Sequence, residues 1–260
     1  MRKDAGSRHE IPSVVVPGLW LVVVLLAIIG VAAAVGRGVF PTDLGARTDP
    51  FRQQLLHSLH RNDPFGPHRA AEVRQFDSRF GANPTLTLLH IVPGGIFLTL
   101  APLQFSSRIR SRHIRFHRWS GRVLVLAALV SGLTALYFGL LMPFGGPGEA
   151  VAIALFGGLF MAAVSRAFFA IRRRDVARHR EWMIRAFALA IAISTIRAIA
   201  TVLDVALTPA GFRPREIFVL SLWSGWVITL GAAELWIRYT CARVGSIAVP
   251  AGAPEARHVV

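Results

Sequence analysis

Long runs of apolar residues, each wide enough to cross a bilayer, alternate along this chain with polar segments. Six such runs of about 21–26 residues stand out, and at 1.5 Å per residue each spans the roughly 30 Å of bilayer hydrocarbon. They cover approximately Val14–Val35, Thr85–Ser107, Val123–Phe144, Ala150–Ile171, Trp182–Leu207 and Ile217–Ile237. No ten-residue alternation typical of barrel strands is present. The pattern predicts an all-α, polytopic transmembrane bundle of about six spans.

The long polar connection after the first run has a helical periodicity of its own. Two apolar stripes with helical spacing occur there, one made of Phe51, Leu55, Leu56 and Leu59, the other of Val73, Phe76 and Phe80. The Asn62-Asp63-Pro64 sequence between them is typical of a turn. We expect two short amphipathic helices that lie on the outer interface or cap the bundle.

These elements divide the chain into five segments. We predict a cytoplasmic N-terminus at 1–13, a first transmembrane anchor at 14–35, an outer loop with amphipathic helices at 36–84, a five-helix transmembrane core at 85–237 and a cytoplasmic tail at 238–260. A cleaved signal peptide is the alternative for the first run, with Ala32–Ala34 as a cleavage site. The run is longer than the usual 7–15 residues of a signal peptide, which favours an uncleaved anchor.

Composition agrees with a membrane location. Of the 260 residues, 53% are apolar and 17% are charged, against about 25% charged in average soluble domains. The single cysteine, Cys241, excludes an internal disulfide, Cys-rich metal sites and the attachment motif of c-type haem. Phosphate-binding loops, dinucleotide fingerprints and hydrolase motifs are also missing from the sequence, so no enzymatic reaction is indicated.

The distribution of the net charge of +15 orients the predicted bundle. With the N-terminus in the cytoplasm, the cytoplasmic segments hold 17 basic and 5 acidic residues, and the outer segments hold 9 basic and 7 acidic residues. This asymmetry satisfies the positive-inside rule and predicts a plasma-membrane protein with both termini in the cytoplasm. The basic loops should attract anionic lipid headgroups rather than nucleic acid. The sequence does not indicate protein partners.

Ionisable groups inside a span are costly and are candidates for function. The intramembrane polar candidates are Gln104, Arg166, Arg197, Asp204 and Glu234. Arg166 lies near a span end, where it can reach the headgroups, and Glu234 is placed to pair with an arginine. Arg197 lies near the midplane and needs a partner. Asp204 is the first candidate, but a straight helix separates the two by about 10 Å, so the alternatives are a group on another span, a bridging water or a bound anion.

Two histidines enter successive hairpins in the same way. His117 and His179 each follow an arginine cluster and begin a predicted span, which would place them at one depth. A pair of histidines from two helices can hold b-type haem, or a metal ion shared between them. Arg118, Arg122 and Arg185 could bind the haem propionates, and His90, nearer the outer side, could serve a separate quinone or proton site. The alternative is that the histidines are interfacial, among arginines that bind lipid phosphates.

Four motifs together resemble a family of bacterial predicted membrane proteins catalogued as domain of unknown function 2306. The motifs are His90-x-x-Pro-Gly-Gly, Pro102-Leu103-Gln104-Phe105, His117-Arg118-Trp119-Ser120-Gly121-Arg122 and His179-Arg180-Glu181-Trp182-Met183-Ile184-Arg185-Ala186-Phe187. The resemblance covers roughly 76–238. It implies a multi-pass membrane protein and supplies no activity. Three function classes remain open: a b-type haem or quinone-linked redox protein, a transporter of small molecules or ions, and an assembly or scaffold protein.

Overall fold

The structure, a computed structural model, describes residues 15–58, 64–65 and 67–247. Within these ranges the chain is helical and contains no strand. The helices are α1 (Val15–Val39), α2 (Leu44–Ser58), α3 (Pro67–Gly81), α4 (Pro84–Gln104), α5 (Ser107–Arg112), α6 (Ile114–Leu141), α7 (Pro147–Arg172), α8 (Val176–Leu207) and α9 (Pro214–Ile247), with a 3₁₀ turn at Thr208–Ala210. The predicted N-terminal segment and most of the predicted tail lie outside the described residues, as do Leu59, Asn62 and Asp63 of the first connection.

Six of these helices, α1, α4, α6, α7, α8 and α9, are long and apolar enough to cross a membrane. This confirms the predicted all-α polytopic bundle. Large apolar side chains point outward along them, among them Leu126, Leu133 and Leu141 of α6. A soluble monomer rarely exposes so large an apolar surface, whereas a lipid-facing helix requires one.

Two helices begin earlier than predicted. α6 starts at Ile114 rather than near Val123, and α8 starts at Val176 rather than near Trp182. At the start of α8 the Asp175 carboxylate accepts a hydrogen bond of 3.0 Å from the backbone N–H of Arg178, which caps the helix. Hydropathy marks only the lipid-crossing part of a helix, while arginine-rich turns extend it into the polar region. His117 and His179 therefore lie in the first turns of long continuous helices.

Four helices form the centre of the bundle. α4 and α7 each pack against both α6 and α8, although the contact of α4 with α8 is small. α6 and α8 therefore face each other diagonally across the bundle. α1 packs on α4 and α8, and α9 packs on α8 and α7. The buried core between the central helices includes Phe97, Leu98, Leu124, Ala128, Ala163, Val164, Ala186, Phe187 and Ile191.

The amphipathic helix α3 caps one end of this bundle, which we call the capped end. Four ion pairs tie α3 to four different spans: Asp77 to Arg37 of α1, Arg69 to Asp204 of α8, Arg79 to Glu149 of α7 and Glu72 to Arg215 of α9. The predicted apolar stripe of α3 is buried by aromatic contacts, such as those of Phe76 with Phe144 and Phe218. The expectation that this segment caps the bundle is confirmed. Phe51 of α2 is 71% exposed, so α2 is not covered in the same way.

Arg79 of the cap is surrounded by aromatic rings and by polar groups of the α6–α7 turn. Its guanidinium lies 4.4 Å from the centroid of the Phe76 ring and donates to a Glu149 carboxylate oxygen at 2.9 Å and to the Met142 carbonyl at 3.1 Å. The other carboxylate oxygen of Glu149 accepts a 2.7 Å hydrogen bond from the backbone N–H of Gly145. Burial lowers the pKa of Arg79, and Glu149 opposes that shift. Arg79 thus fixes α3 to the α6–α7 turn.

Candidate functional site

The opposite end of the bundle carries the arginine clusters, and we call it the arginine-rich end. It consists of α5, the first turns of α6 and α8, and the α7–α8 connection. Arg110 of α5 donates to the carbonyls of Phe105 at 2.9 Å and Gln104 at 3.3 Å. These bonds satisfy carbonyl groups at the end of α4, which have no partner within their own helix. The amphipathic α5 is held across this end of the bundle as a result.

His117 lies on the buried stripe of α6. One turn further along, Ser120 is fully buried and receives a 2.8 Å hydrogen bond from the Gln104 side chain of α4. The imidazole of His117 is half-buried, and its Nδ1 is shielded from solvent with no hydrogen-bond partner among the described residues. A buried polar atom without a partner is uncommon in native structures and calls for an explanation. A bound ligand is one such explanation.

His179 is oriented by a bond that leaves one ring nitrogen available. Its Nδ1 lies 2.9 Å from the Ala167 carbonyl of α7. A carbonyl oxygen only accepts, so Nδ1 carries the proton and Nε2 has the free lone pair. This is the arrangement in which metal-ligating histidines are commonly held. The hydrogen bond therefore presents His179 as a ligand with its ring already oriented.

His117 and His179 lie at the starts of α6 and α8, at the same end of the bundle. His179 lies close enough to His117 for the two rings to interact electrostatically. Aromatic side chains line the adjacent core, with the Phe105 and Phe187 rings 5.2 Å apart. A common depth for the two His-Arg sequences stays a prediction from their similar placement in two successive hairpins. A ligand between the rings would contact apolar core on one side and arginines on the other.

The arginines predicted to bind the haem propionates differ in whether a protein carboxylate already binds them. Arg118 is exposed and within electrostatic reach of His117, and Arg122 is exposed one turn further along α6. Arg185 is engaged elsewhere: it donates two hydrogen bonds to Glu234 of α9, one of them at 3.0 Å, and its guanidinium lies 4.7 Å from the Trp182 ring. Its predicted role with a cofactor is not favoured, because Glu234 already occupies the guanidinium. The prediction that Glu234 pairs with an arginine is confirmed.

Arg166 faces the same tryptophan from the neighbouring helix. Its guanidinium lies 4.8 Å from the centroid of the Trp182 ring. Two arginines on one indole join α7 and α8 through cation–π contacts. Trp182 therefore links Arg166 of α7 to Arg185 of α8, one turn along α8 from His179.

His90 belongs to a different part of the bundle. Its Nδ1 lies 3.0 Å from the Ser131 carbonyl, and the Ser131 hydroxyl donates to the His90 carbonyl at 2.9 Å. Ser131 follows His117 by 14 positions on α6, a rise of about 21 Å. His90 thus joins α4 to α6 and does not reach the His117–His179 pair.

The predicted pairing of Arg197 with Asp204 is wrong. Asp204 forms its ion pair with Arg69 of α3 and accepts a 3.2 Å hydrogen bond from the Thr208 hydroxyl. The physical reason is that α8 runs unbroken through both positions. The seven positions between Arg197 and Asp204 correspond to a rise of about 10 Å along the helix axis. The Asp204 carboxylate reaches Arg69 of α3 instead. The sequence analysis missed Arg69, Asp77 and Glu149 as partners in the cap. Their positions, along α3 and in the first turn of α7, carried no signal beyond ordinary loop charge.

The donor set restricts the kind of metal site. Among residues 15–58, 64–65 and 67–247 no group of three or more His, Cys, Asp or Glu side chains is placed to hold a metal ion. Protein zinc sites normally use three or four such ligands. A haem supplies four nitrogens from its own ring and requires only two axial ligands from the protein. A pair of histidines therefore fits haem better than a bare divalent ion.

Comparison with known proteins gives a family and no activity. A family model described as predicted membrane protein (DUF2306) matches residues 87–237. No curated protein and no solved structure matches the chain. The matched region contains α4 to α9, and with them His90, both histidines of the candidate site and the span bearing Arg197. Because this match covers more than half of the chain, the protein belongs to the DUF2306 family of predicted membrane proteins.

Proposed function

We propose that this multi-pass membrane protein binds b-type haem between His117 and His179 and acts as a one-electron redox protein of the bacterial inner membrane. The observation that carries the proposal is that His117 and His179 lie at the starts of two helices at the same end of the bundle, within electrostatic reach of each other. Bundle cofactor sites use side chains on facing helices. The function rests on this geometry, since the family itself carries no assigned activity.

The ring nitrogens support the assignment. The bond from His179 Nδ1 to the Ala167 carbonyl leaves Nε2 as a ligand atom, and His117 retains a buried nitrogen without a partner among the described residues. Haem iron held by two histidines cycles between the ferric and ferrous states by taking up and releasing one electron. The protein would supply the two ligands, their orientation and the apolar wall formed by Phe105 and Phe187.

The arginines supply the complementary charge. Arg118 and Arg122 are exposed beside His117 and carry no carboxylate partner among the described residues. Haem propionates are anionic, and arginine binds carboxylates through paired, charge-assisted hydrogen bonds. In the proposed orientation these groups face the cytoplasm, where the arginine-rich end also meets anionic lipid headgroups. A membrane quinone would be the electron partner within the bilayer.

The experiment is optical spectroscopy of protein purified in mild detergent from cells supplied with a haem precursor. We expect a Soret band and the reduced-minus-oxidised spectrum of a six-coordinate low-spin haem. His117→Ala and His179→Ala should each lower the haem content per protein at least about tenfold. His113→Ala is the matched control, because His113 is exposed just before α6, and it should keep the wild-type spectrum.

Two outcomes would remove the haem proposal. One is a folded wild-type protein without a Soret band after haem supplementation. The other is equal haem content in wild type and both histidine variants. Solute flux in vesicles containing haem-free protein would then favour a transporter, and the lack of both haem and flux would favour an assembly or scaffold protein.

A further inference from the structure

A second polar region lies between α1, α4 and α8, on the side of the bundle nearer the capped end. The helices approach closely there: a Cβ added to Gly30 of α1 would meet Leu98 of α4 and the Ser194 hydroxyl of α8. Arg197 lies about one turn beyond Ser194 on α8. It is within electrostatic reach of Arg37 of α1 and His90 of α4. We call Arg197, Ser194 and His90 the Arg197 site.

Arg197 has no protein partner for its charge. Among the described residues its side chain forms no ion pair and no hydrogen bond. Two carboxylates at the capped end are already engaged, Asp204 of α8 by Arg69 and Asp77 of α3 by Arg37 at 2.7 Å. Arg37 adds a second cation nearby, so the surroundings do not compensate Arg197.

The Arg197 site is also accessible. Many protein atoms lie around Arg197. The residue is nevertheless exposed at the surface of the bundle. His90 is half-buried, and the carbonyl held by its Nδ1 leaves Nε2 available. The side chains of Arg197 and His90 can therefore be reached from outside the bundle.

An independent observation comes from Ser194. Its side chain is fully buried, and its hydroxyl has no hydrogen-bond partner in the described part of the chain. A serine within a helix usually satisfies its hydroxyl on the carbonyl four residues earlier. Here the hydroxyl points towards Gly30 of α1 instead. An unused hydroxyl, an unused guanidinium and a free imidazole nitrogen thus lie in adjacent turns of α8 and α4.

From these contacts we propose that Arg197 binds the oxyanion of a ligand, a carboxylate or a phosphate, with the Ser194 hydroxyl as a further donor. An uncompensated arginine at this depth is costly, and an oxyanion would neutralise it through charge-assisted hydrogen bonds. A headgroup of an anionic lipid and a free anion share this chemistry. The site is separate from the histidine pair, since Arg197 follows His179 by 18 positions on α8, a rise of about 27 Å.

The test measures thermal unfolding of the full-length protein in detergent with two kinds of probe. The first is inorganic phosphate or acetate titrated against chloride at constant ionic strength. The second is phosphatidylglycerol mixed into phosphatidylcholine micelles, compared with phosphatidylcholine alone. We expect one of the two to raise the Tm of the wild type, because a ligand that binds only the folded state stabilises it. The probe that does so identifies the source of the anion.

Variants test whether the rise in Tm depends on Arg197. Arg197→Gln should weaken the responding probe at least about tenfold in apparent affinity while its ligand-free Tm equals or exceeds that of the wild type, since an unpaired charge has been removed. Arg173→Gln, at an exposed arginine after α7, should keep the wild-type response. If Arg197→Gln does not fold, Arg197→Lys should still weaken binding, because lysine cannot form paired hydrogen bonds. Equal responses of wild type and the Arg197 variants, or no response to either probe, would overturn the proposal.

Discussion

Two glycines on neighbouring helices differ in what surrounds them. A Cβ added to Gly225 of α9 would lie 2.4 Å from a side-chain carbon of Ile196 and 3.1 Å from the backbone nitrogen of the same residue. A Cβ added to Gly158 of α7 would meet nothing within 4 Å. Gly225 therefore allows α8 and α9 to approach, as small residues do at helix contacts in membranes. Gly158 lies on an open face.

This contrast gives a prediction at the residue scale. Gly225→Ala should destabilise the protein by about 1–3 kcal/mol, the usual cost of overpacking, because backbone atoms of α8 cannot move aside as a side chain can. Gly158→Ala should be neutral or stabilise by up to about 1 kcal/mol through helix propensity. Thermal unfolding of the two variants in one detergent measures both effects. Equal Tm values for the two variants would contradict the packing of α8 on α9.

At the scale of elements, ion pairs to four spans hold α3 in place, because a helix of its length is not stable by itself. α3 has only 15 residues, and isolated helices of that length are marginal in water. The side chains of the Arg79–Glu149 pair are 10% and 2% exposed, so solvent screens this pair little. The Arg213–Glu216 pair at the start of α9 has side chains 48% and 41% exposed. It offers a matched comparison.

Removing one partner of the buried pair should be costly. Arg79→Ala or Glu149→Gln is expected to lower stability by about 3–5 kcal/mol, because each leaves an uncompensated buried group. The Arg79→Ala/Glu149→Gln double variant should lose less than the two single changes added together. Arg213→Ala should change stability by about 0–1 kcal/mol. Additive losses at Arg79 and Glu149, measured by thermal unfolding, would show that the two side chains do not interact in the folded protein.

At the scale of the whole molecule, the two ends of the bundle are electrically different. Ion pairs neutralise the arginines of the cap, whereas most arginines of α5 and of the α7–α8 connection are exposed. Short segments rich in arginine are retained in the cytoplasm during insertion, and α5 and the α7–α8 connection are such segments. The proposed orientation therefore places the His117–His179 pair on the cytoplasmic side and the Arg197 site nearer the outer side.

Reporter fusions test this orientation directly. Fusions after Gly146 and Ala210, at the capped end, should report an external location, and fusions after Arg174 and Gly245 should report the cytoplasm. Alkaline phosphatase and green fluorescent protein provide opposite signals for the two sides. An external signal after Arg174 would reverse the threading and move both proposed sites to the other face.

The sequence alone determined the properties that each segment carries by itself. Six spans, the charge asymmetry and the family motifs can be read locally, because lipid imposes a fixed length and an apolar composition on every crossing helix. A common depth for His117 and His179 stays a prediction from their similar places at the start of two hairpins. The amphipathic stripe of α3 predicted a cap for the same reason, since an apolar face must be buried somewhere.

Only the tertiary structure decided which polar groups meet. Arg69 and Asp204 are 135 positions apart, and no local sequence pattern links them. Because Asp204 pairs with Arg69, it is not the partner of Arg197 that the sequence of α8 favoured. Arg185 likewise pairs with Glu234 of α9 and not with a ligand at the predicted His117–His179 site. Charged side chains are long and interact with any opposite charge in reach, so their partners depend on how helices cross. Hydropathy fixes that each helix crosses the bilayer, and only packing fixes which faces it turns to its neighbours.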